Sequence, residues 1–313
     1  MNPVPHRWLL GTARLGVLRR LRDLQSATLR ALSLGPPRPR IVPQPARRST
    51  GGRALRLTHV LVSSDLNRRY LDVWPLANRA WKAIAGLEPV LVLVADDADV
   101  PSELRSDPNV RVFPPVAGVH TAFQAQCIRL LYPALLDGAG GVVVADIDMV
   151  PLNRRYFHRP AGHVAETDFV AYRDLMLSDG EVPICYNAAL PRTWQELFGA
   201  ATAEEATSRL GEWSENVRYD GVPGGSGWAT DQRKLYEALI GFATRTRRVW
   251  ILDDRYAGFR RLSHTSLAAG GPTRAEERAI ARGGYSDFHC LLPYTEFRDV
   301  NDRVVELAME GTA

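Results

Sequence analysis

The sequence contains little cysteine and no long apolar run. Its 313 residues include three cysteines, Cys127, Cys185 and Cys290, which lie far apart in unrelated contexts. This spacing favours neither a disulfide framework nor a zinc site, and it fits a reducing compartment. No apolar stretch approaches the roughly 18–20 residues that cross a bilayer, and the N-terminus has no secretory pattern. We therefore expect a cytoplasmic protein without a membrane span.

Lysine is also scarce, and the positive charge is unevenly distributed. Only Lys82 and Lys234 are lysines, so arginine carries nearly every cationic side chain. Residues 1–56 contain 12 arginines and one acidic residue, whereas the remainder has a net charge of −7. An acidic main domain argues against general nucleic-acid binding, because that binding depends on phosphate neutralisation.

The N-terminal residues differ from the rest in composition. Leucine and valine spacing over residues 8–34 predicts a basic amphipathic helix, giving a first segment at 1–34. Such a helix can rest on an anionic membrane surface, here the inner face, or it can dock on the domain or on a partner subunit. Residues 35–56 are rich in proline and arginine and predict an extended linker.

Residues 57–313 predict a single catalytic domain in the α/β class, with a mostly parallel central sheet flanked by helices. Continuous apolar strands alternate with amphipathic helices, which is typical of a parallel sheet covered on both faces. Predicted strands lie at 57–63, 89–95, 110–113, 141–145, 164–172, 182–190 and 248–252. Predicted helices lie at 69–85, 121–136, 191–215, 229–240 and 294–309. Residues 57–150 form the expected nucleotide-binding half and 151–313 the acceptor half.

Two carboxylates follow the apolar strand at 141–145. Strand alternation would point Asp146 and Asp148 to one side and Ile147 into the core. Two acids at the carboxyl end of a buried strand are typical of a site for Mg²⁺ or Mn²⁺ that carries a phosphate. The alternative is a pair of solvated acids that caps the turn before Pro151.

Further candidates lie later in the chain. His289 can complete the metal site and shift its preference toward Mn²⁺, with Asp287 as a fallback ligand, although a lone histidine often only packs. Asp231 and Gln232 open a predicted helix and can bind sugar hydroxyls, or can simply form its first turn. The glycine-rich loop at 221–226 is predicted to be flexible, which suits a loop that closes over a substrate and equally suits a plain connector.

Polar groups at other strand and helix ends complete the set. Ser63, Ser64 and Asp65 follow the first strand, where they can contact a nucleobase or ribose. Arg129, in the helix before the carboxylate strand, can bind the acids or a diphosphate, and surface exposure is the competing interpretation. Asn187 is followed by small residues that leave room for a ligand, and packing alone also explains them.

In this order the motifs resemble GT-A nucleotide-sugar glycosyltransferases, and within them the glycogenin-like transferases. The resemblance covers about residues 57–295. It is carried by Val-Ser-Ser-Asp at 62–65, the helix with Gln126, Arg129 and Tyr132-Pro133, the aspartates 146 and 148, Tyr186-Asn187-Ala188, and Asp231-Gln232.

The resemblance implies a GT-A fold and transfer of a sugar from a nucleotide-diphosphate donor, a UDP-sugar, to a glycan, glycolipid or small-molecule hydroxyl. It implies that Mn²⁺, or Mg²⁺, is held by Asp146, Asp148 and His289. Nucleotide contacts fall to Ser63, Ser64, Asp65 and Ile147, and contacts near the sugar to Arg129, Asn187, Asp231 and Gln232. The lysine expected after the histidine is absent, so Arg260, Arg261 or another cation must replace it. Retention or inversion stays open, with Asp231, Asp253 and Asp254 as candidate bases for inversion.

Two other enzyme classes share parts of this pattern. A dehalogenase-type phosphatase would use Asp146 as nucleophile, Lys234 as the later cation and the strand that ends at Asp253, but its motif normally follows the first strand. A sugar nucleotidyltransferase has a similar sheet, but it normally carries a glycine-rich loop that residues 63–67 lack.

Overall fold

The structure is a computed structural model that describes residues 52–253 and 258–311. The predicted N-terminal helix, most of the predicted linker and Asp254 lie outside these residues. The last predicted linker residues pack on the domain. Leu55 is buried, and its amide donates to the carbonyl of Val164 at 3.1 Å. Domain packing therefore begins before the predicted boundary at Leu57.

Strands and helices alternate through the first half of the domain, and helices dominate the second half. The strands are β1 (Leu57–Asp65), β2 (Glu88–Val94), β3 (Val110–Phe113), β4 (Gly141–Val144), β5 (Met149–Pro151), β6 (Phe169–Ala171), β7 (Asn187–Ala189), β8 (Val249–Ile251), β9 (Arg260–Leu262) and β10 (Tyr285–His289). The α-helices are α1 (Arg68–Leu71), α2 (Trp74–Ala80), α3 (Ser102–Arg105), α4 (Thr121–Leu131), α5 (Arg154–Ala161), α6 (Pro191–Phe198), α7 (Ala203–Glu215), α8 (Thr230–Thr246), α9 (His264–Leu267), α10 (Arg274–Ala281) and α11 (Arg298–Glu310). Among the described helices, none has the length and apolar character needed to span a membrane.

Seven strands form the main sheet in the order β3-β2-β1-β4-β7-β6-β8. Neighbouring strands are parallel except at β7, which runs antiparallel to both β4 and β6. The predicted mostly parallel α/β sheet is confirmed. Because the strand order reverses between β1 and β4, the crevice beyond their carboxyl ends is where an open sheet of this kind binds ligands.

Side chains of the central strands enter two separate cores, one on each face of the sheet. In β1, Val60 and Val62 belong to the core that contains Trp74, whereas Leu61 belongs to the core that contains Phe123. This period-two division confirms the expectation that the apolar strands are buried on both faces. The buried sheet gives the residues at its carboxyl edge a rigid base.

A second, three-stranded sheet with the order β5-β10-β9 was not predicted. Its strand β10 pairs antiparallel with β5, placing His289 opposite Met149, and parallel with β9. All three strands are short, and β9 and β10 contain polar residues, so their sequences lack the longer apolar runs that indicate strands in the main sheet. Their pairing brings the late part of the chain back to the end of β4.

Several predicted elements have different bounds in the structure. The predicted helix at 69–85 divides into α1, α2 and a π-helical turn at Trp81–Ala85, and Pro75 lies at the start of α2, where its missing amide is tolerated. The helix predicted to end at 136 changes to a 3₁₀ turn at Tyr132–Leu135, which contains Pro133. The closing helix begins at Arg298, four residues after Tyr294.

Candidate active site

The carboxylate pair lies in a turn and not on the strand. β4 ends at Val144, and the amide of Met149 donates to the carbonyl of Asp146 at 3.1 Å, which closes the turn into β5. The prediction that strand alternation orients the two acids was therefore wrong. Ile147 is buried as expected, while both acids lie at the carboxyl edge of the sheet.

Arg129 lies between two carboxylates. Its Nη1 contacts Oδ1 of Asp146, and its Nη2 donates to Oδ2 of Asp231 at 2.6 Å. The guanidinium is mostly buried, with 10% of its side chain exposed. Burial alone would lower the pKa of Arg129, but the two carboxylates raise it above its ordinary value. The predicted link between this arginine and the acids is therefore present, and surface exposure is excluded.

Burial and Arg129 act differently on the two acids. Burial raises the pKa of Asp231, and the neighbouring guanidinium offsets only part of that shift. For Asp146, burial acts in the same direction, but Arg129 outweighs it and the pKa is lowered. Asp231 also accepts a hydrogen bond from the amide of Gln232 at 2.8 Å, so both of its oxygens are engaged.

His289 approaches the second aspartate of the pair. Its Nε2 lies 2.9 Å from Oδ2 of Asp148, and the amide of Cys290 donates to the carbonyl of Asp148 at 2.8 Å. Burial would lower the pKa of His289, but the Asp148 carboxylate raises it overall. The strand pairing of β10 with β5 thus brings together two residues that are 141 positions apart in the sequence.

The donor atoms of this cluster fit a divalent cation in chemical type. Asp148 Oδ2 and His289 Nε2 are joined by a hydrogen bond of 2.9 Å. That separation is also compatible with two neighbouring ligands of an octahedral ion, which lie about 3 Å apart when the metal–ligand distance is about 2.1 Å. Asp146 lies beside them with one oxygen held by Arg129. Within residues 52–253 and 258–311, no three acidic, histidine or cysteine side chains already converge as a metal-binding group. The third ligand would have to come from a carboxylate that is now paired with arginine.

Asp287 does not serve as the predicted fallback ligand. It is fully buried, and it accepts hydrogen bonds from Arg173 at 2.8 Å, Arg261 at 2.9 Å and the hydroxyl of Tyr186 at 3.2 Å. With these donors its oxygens have no capacity for a cation. Its role is to hold Arg261, whose side chain is 34% exposed and whose Nη2 lies 3.7 Å from the sulfur of Cys185.

Two neighbours of the cluster were missed by sequence reasoning. The ring of His264 lies 5.4 Å from that of His289, centroid to centroid. Burial raises the pKa of Tyr70, and Asp148 raises it further, which identifies Tyr70 as another neighbour of the site. Neither residue belongs to a spacing motif, and only the pairing of β9 with β10 and the turn after β1 place them here.

The polar residues at the end of β1 are mostly engaged with the protein itself. Ser63 donates to the carbonyl of Ala125 at 2.5 Å, and Ser64 donates to the carbonyl of Asp65 at 2.8 Å. Asp65 accepts from the hydroxyl of Thr121 at 3.0 Å. These bonds fasten the end of β1 to α4, and the predicted nucleotide contacts of the three residues stay predictions.

Asn187 has an unusual environment at the start of β7, opposite Val144 of β4. Its amide nitrogen donates to the carbonyls of Pro183 and Ile184 at 2.8 and 2.7 Å. Its amide oxygen is fully buried and has no hydrogen-bond partner among the described residues. A buried acceptor without a donor is costly unless a ligand or water supplies one.

The predicted flexible loop at 221–226 is organised by hydrogen bonds. The carboxylate of Asp220 accepts from the amides of Val222 at 2.9 Å and Ser226 at 2.8 Å. The rings of Tyr219 and Trp228 stack across the base of the loop with 6.4 Å between centroids. The loop therefore has a defined conformation next to the start of α8, which carries Asp231.

The sequence matches no protein family model and no curated protein. Similar solved structures are glycosyltransferases by name. The galactosyltransferase LgtC, in complex with donor and acceptor sugar analogues, has 13% identity and a TM-score of 0.42, over 80% of this chain and 95% of that chain. The glycosyltransferase GlyE of Streptococcus pneumoniae TIGR4 has 11% identity and a TM-score of 0.41, over 80% of this chain and 60% of that chain. Mouse xyloside xylosyltransferase 1 has 9% identity and a TM-score of 0.37, over 74% of this chain and 97% of that chain. At these values the chemistry has to be argued from this chain's own side chains.

Proposed function

We propose that this chain is a metal-dependent glycosyltransferase of the GT-A type. It transfers a sugar from a nucleotide-diphosphate donor, a UDP-sugar, to a hydroxyl of a glycan, glycolipid or small molecule. The observation that carries the proposal is the Asp148–His289 pair beside Asp146, at the point where the strand order of the sheet reverses. Carboxylate and imidazole donors at such a crevice suit a cation that binds a diphosphate.

Asp148 and His289, joined by Asp146, are the residues that would hold Mn²⁺ or Mg²⁺. When bound, the metal supplies positive charge for the leaving diphosphate, where negative charge develops as the sugar departs. Arg261 supports the proposal as a second source of positive charge, because its partly exposed guanidinium is held in place by buried Asp287. The segment after His289 is apolar and lacks the expected lysine. Arg261 is proposed to supply the positive charge in its place.

Arg129, Asp231, Gln232 and Asn187 are proposed to surround the donor sugar. Asp231 has both oxygens engaged, so its main effect is to orient Arg129 and it is poorly suited to accept a proton from the acceptor. The buried amide oxygen of Asn187 can accept a hydrogen bond from a sugar hydroxyl. Positive character at the anomeric carbon would be stabilised by these fixed dipoles and carboxylates.

The nucleoside is proposed to lie along the end of β1. Ser63 and Ser64 use their hydroxyls on backbone carbonyls. Asp65 accepts from the hydroxyl of Thr121 at 3.0 Å and from the amide of Asn67 at 3.1 Å, and it is partly exposed, so a ribose hydroxyl is proposed to use one of its remaining lone pairs. The backbone at Ile147 is proposed to contact the donor, since its side chain is buried in the core.

A dehalogenase-type phosphatase is less consistent with the contacts at the same residues. Its nucleophile must be free to attack a phosphate, but Asp146 is in contact with Arg129. Its cationic partner would be Lys234, but this lysine pairs with Glu237 at 3.1 Å on α8. The cation in contact with Asp146 is therefore Arg129 and not Lys234.

A direct test combines nucleotide binding with donor turnover. We expect UDP to raise the melting temperature in the presence of Mn²⁺ and to lose this effect with EDTA, with GDP and ADP as comparison nucleotides. We also expect slow release of UDP from a UDP-sugar in the same buffer. Hydrolysis of an aryl phosphate without any nucleotide effect would contradict the proposal and favour the phosphatase.

A further inference from the structure

Helix α5 exposes a face that is entirely basic. Arg154, Arg155 and Arg159 are exposed, and His158 is half-buried, whereas Tyr156 and Phe157 face the core. Residues four positions apart adjoin on a helix surface, so the positions 154 and 158, and 155 and 159, form two neighbouring rows. The exposed part of α5 is therefore a compact cationic patch.

None of these arginines forms an ion pair with a carboxylate in the part of the chain that the structure describes, and α5 itself contains no acidic residue. Some arginines elsewhere on the surface do form ion pairs, as Arg192 does with Glu166 and Arg303 does with Glu277. Residues 57–313 carry a net charge of −7, so a patch of this kind stands out from its own domain. Its charge is available to an external anion.

The chain enters the domain close to the end of α5. The carbonyl of Arg53 accepts from the amide of Glu166 at 2.8 Å, and Leu55 bonds to Val164, a few residues after α5 ends at Ala161. The residues that precede this point are the arginine-rich segment, whose leucine spacing predicts a basic amphipathic helix. The first described residues therefore lie beside the loop that follows α5.

We propose that the exposed face of α5 binds the surface of an anionic lipid bilayer, with Arg154, Arg155 and Arg159 contacting acidic phospholipid headgroups. A bilayer is favoured over a nucleic acid because the amphipathic segment pairs its arginines with an apolar row, which suits insertion at a headgroup boundary. The folded domain thus adds its own basic contact to the one predicted for residues 1–34.

Vesicle sedimentation with the full chain tests this proposal. The variant Arg154→Gln/Arg155→Gln/Arg159→Gln is compared with Arg111→Gln/Arg245→Gln/Arg247→Gln, which removes the same charge from exposed positions on other elements. On vesicles of phosphatidylcholine mixed with phosphatidylglycerol, we expect the α5 variant to bind on the order of 100-fold more weakly than wild type. The control should stay within a few-fold of wild type, and added salt should weaken all binding.

Binding of the α5 variant equal to that of wild type would overturn the proposal, as would equal binding to vesicles of phosphatidylcholine alone. Binding of a labelled duplex oligonucleotide in an α5-dependent manner, without vesicle binding, would overturn it in favour of a nucleic acid. Binding of UDP with Mn²⁺ is measured in parallel and should be unchanged in the α5 variant. The two proposals can therefore fail independently of each other.

Discussion

At the scale of single residues, Arg129 sets the charge balance of the candidate site. One guanidinium pairs with two carboxylates, one from the turn after β4 and one from α8, and it is mostly buried. Removing one partner of a buried ion pair destabilises a protein by much more than the intact pair stabilises it, because the remaining charge is left unpaired. Arg129 therefore determines both the orientation of the site and the stability of the fold around it.

We predict that Arg129→Met lowers the free energy of unfolding by about 3–5 kcal/mol, because it leaves the buried Asp231 without its partner. Adding Asp231→Asn should recover part of this loss, since it removes the unpaired charge. Denaturant titrations of the two single variants and the double variant give the coupling energy. Additive losses in the double variant would contradict the assigned pairing.

The sequence could identify candidate site residues where they belong to a short motif of metal-binding or polar residue types. The assignment of Asp146, Asp148 and His289 as metal ligands stays a prediction, and the structure brings the last two into contact. Asp287 was misjudged because its partners Arg173 and Arg261 come from distant segments. His264 and Tyr70 carry no local signal at all, since only the tertiary pairing brings them to the site.

At the scale of elements, strand β10 fixes the position of His289. Phe288 is fully buried in the core on the side of α2, and its neighbour His289 faces Asp148. The register of β10 against β5 sets which of these side chains points inward. A loss of packing at Phe288 is therefore transmitted to the candidate metal ligand.

We predict that Phe288→Leu lowers Mn²⁺ affinity about 10-fold, because support of a ligand residue is weakened, and costs about 1–3 kcal/mol of stability. Phe198→Leu, which alters the core on the other face of the sheet, is the matched control. It should lose similar stability and keep its Mn²⁺ affinity. Equal Mn²⁺ affinity in both variants, measured by calorimetry under native conditions, would contradict the role given to β10.

Helix α5 gives the fold a pH dependence through His158. Burial lowers the pKa of His158, and the positive charge of Arg154 lowers it further. The hydrogen bond between its Nε2 and the carbonyl of Ala85, at 2.8 Å, raises the pKa, but the net shift is a decrease. The unfolded chain thus takes up the proton first, and stability falls as the pH drops below the ordinary value of about 6.5. We predict a smaller loss of stability between about pH 7 and pH 5 in His158→Gln. An unchanged pH profile, measured by denaturant unfolding, would exclude this contribution.

The positions of strands could be predicted from the sequence where a strand consists of consecutive apolar residues. The strands β1, β2, β3 and β4 have apolar runs, and their positions agree with expectation to within two residues. The strands β9 and β10 mix polar and apolar residues, and β5 has only three residues, so these three are strands because they pair with each other. The long predicted strands at 164–172 and 182–190 shortened to β6 and β7, since most of each run lies in loops.

At the scale of the whole molecule, charge is divided between an arginine-rich N-terminal segment and an acidic domain. The site described above involves residues 63–289, and the packed domain begins near Leu55. We predict that deletion of residues 1–50 leaves transfer activity in solution close to that of the full chain. Circular dichroism and donor turnover of the truncated chain test this, and an unfolded or inactive product would show that the segment belongs to the catalytic unit.

The most direct test of the central claim is isothermal titration of UDP into the full chain with Mn²⁺ present. The proposed site predicts binding that disappears with EDTA and weakens by about 100-fold or more in Asp148→Asn, since the metal supplies most of the diphosphate contact. Asp97→Asn, at an exposed carboxylate paired with Arg105, is the control and should bind as wild type does. Binding of UDP that is equally strong in Asp148→Asn, or that needs no metal, would contradict the account.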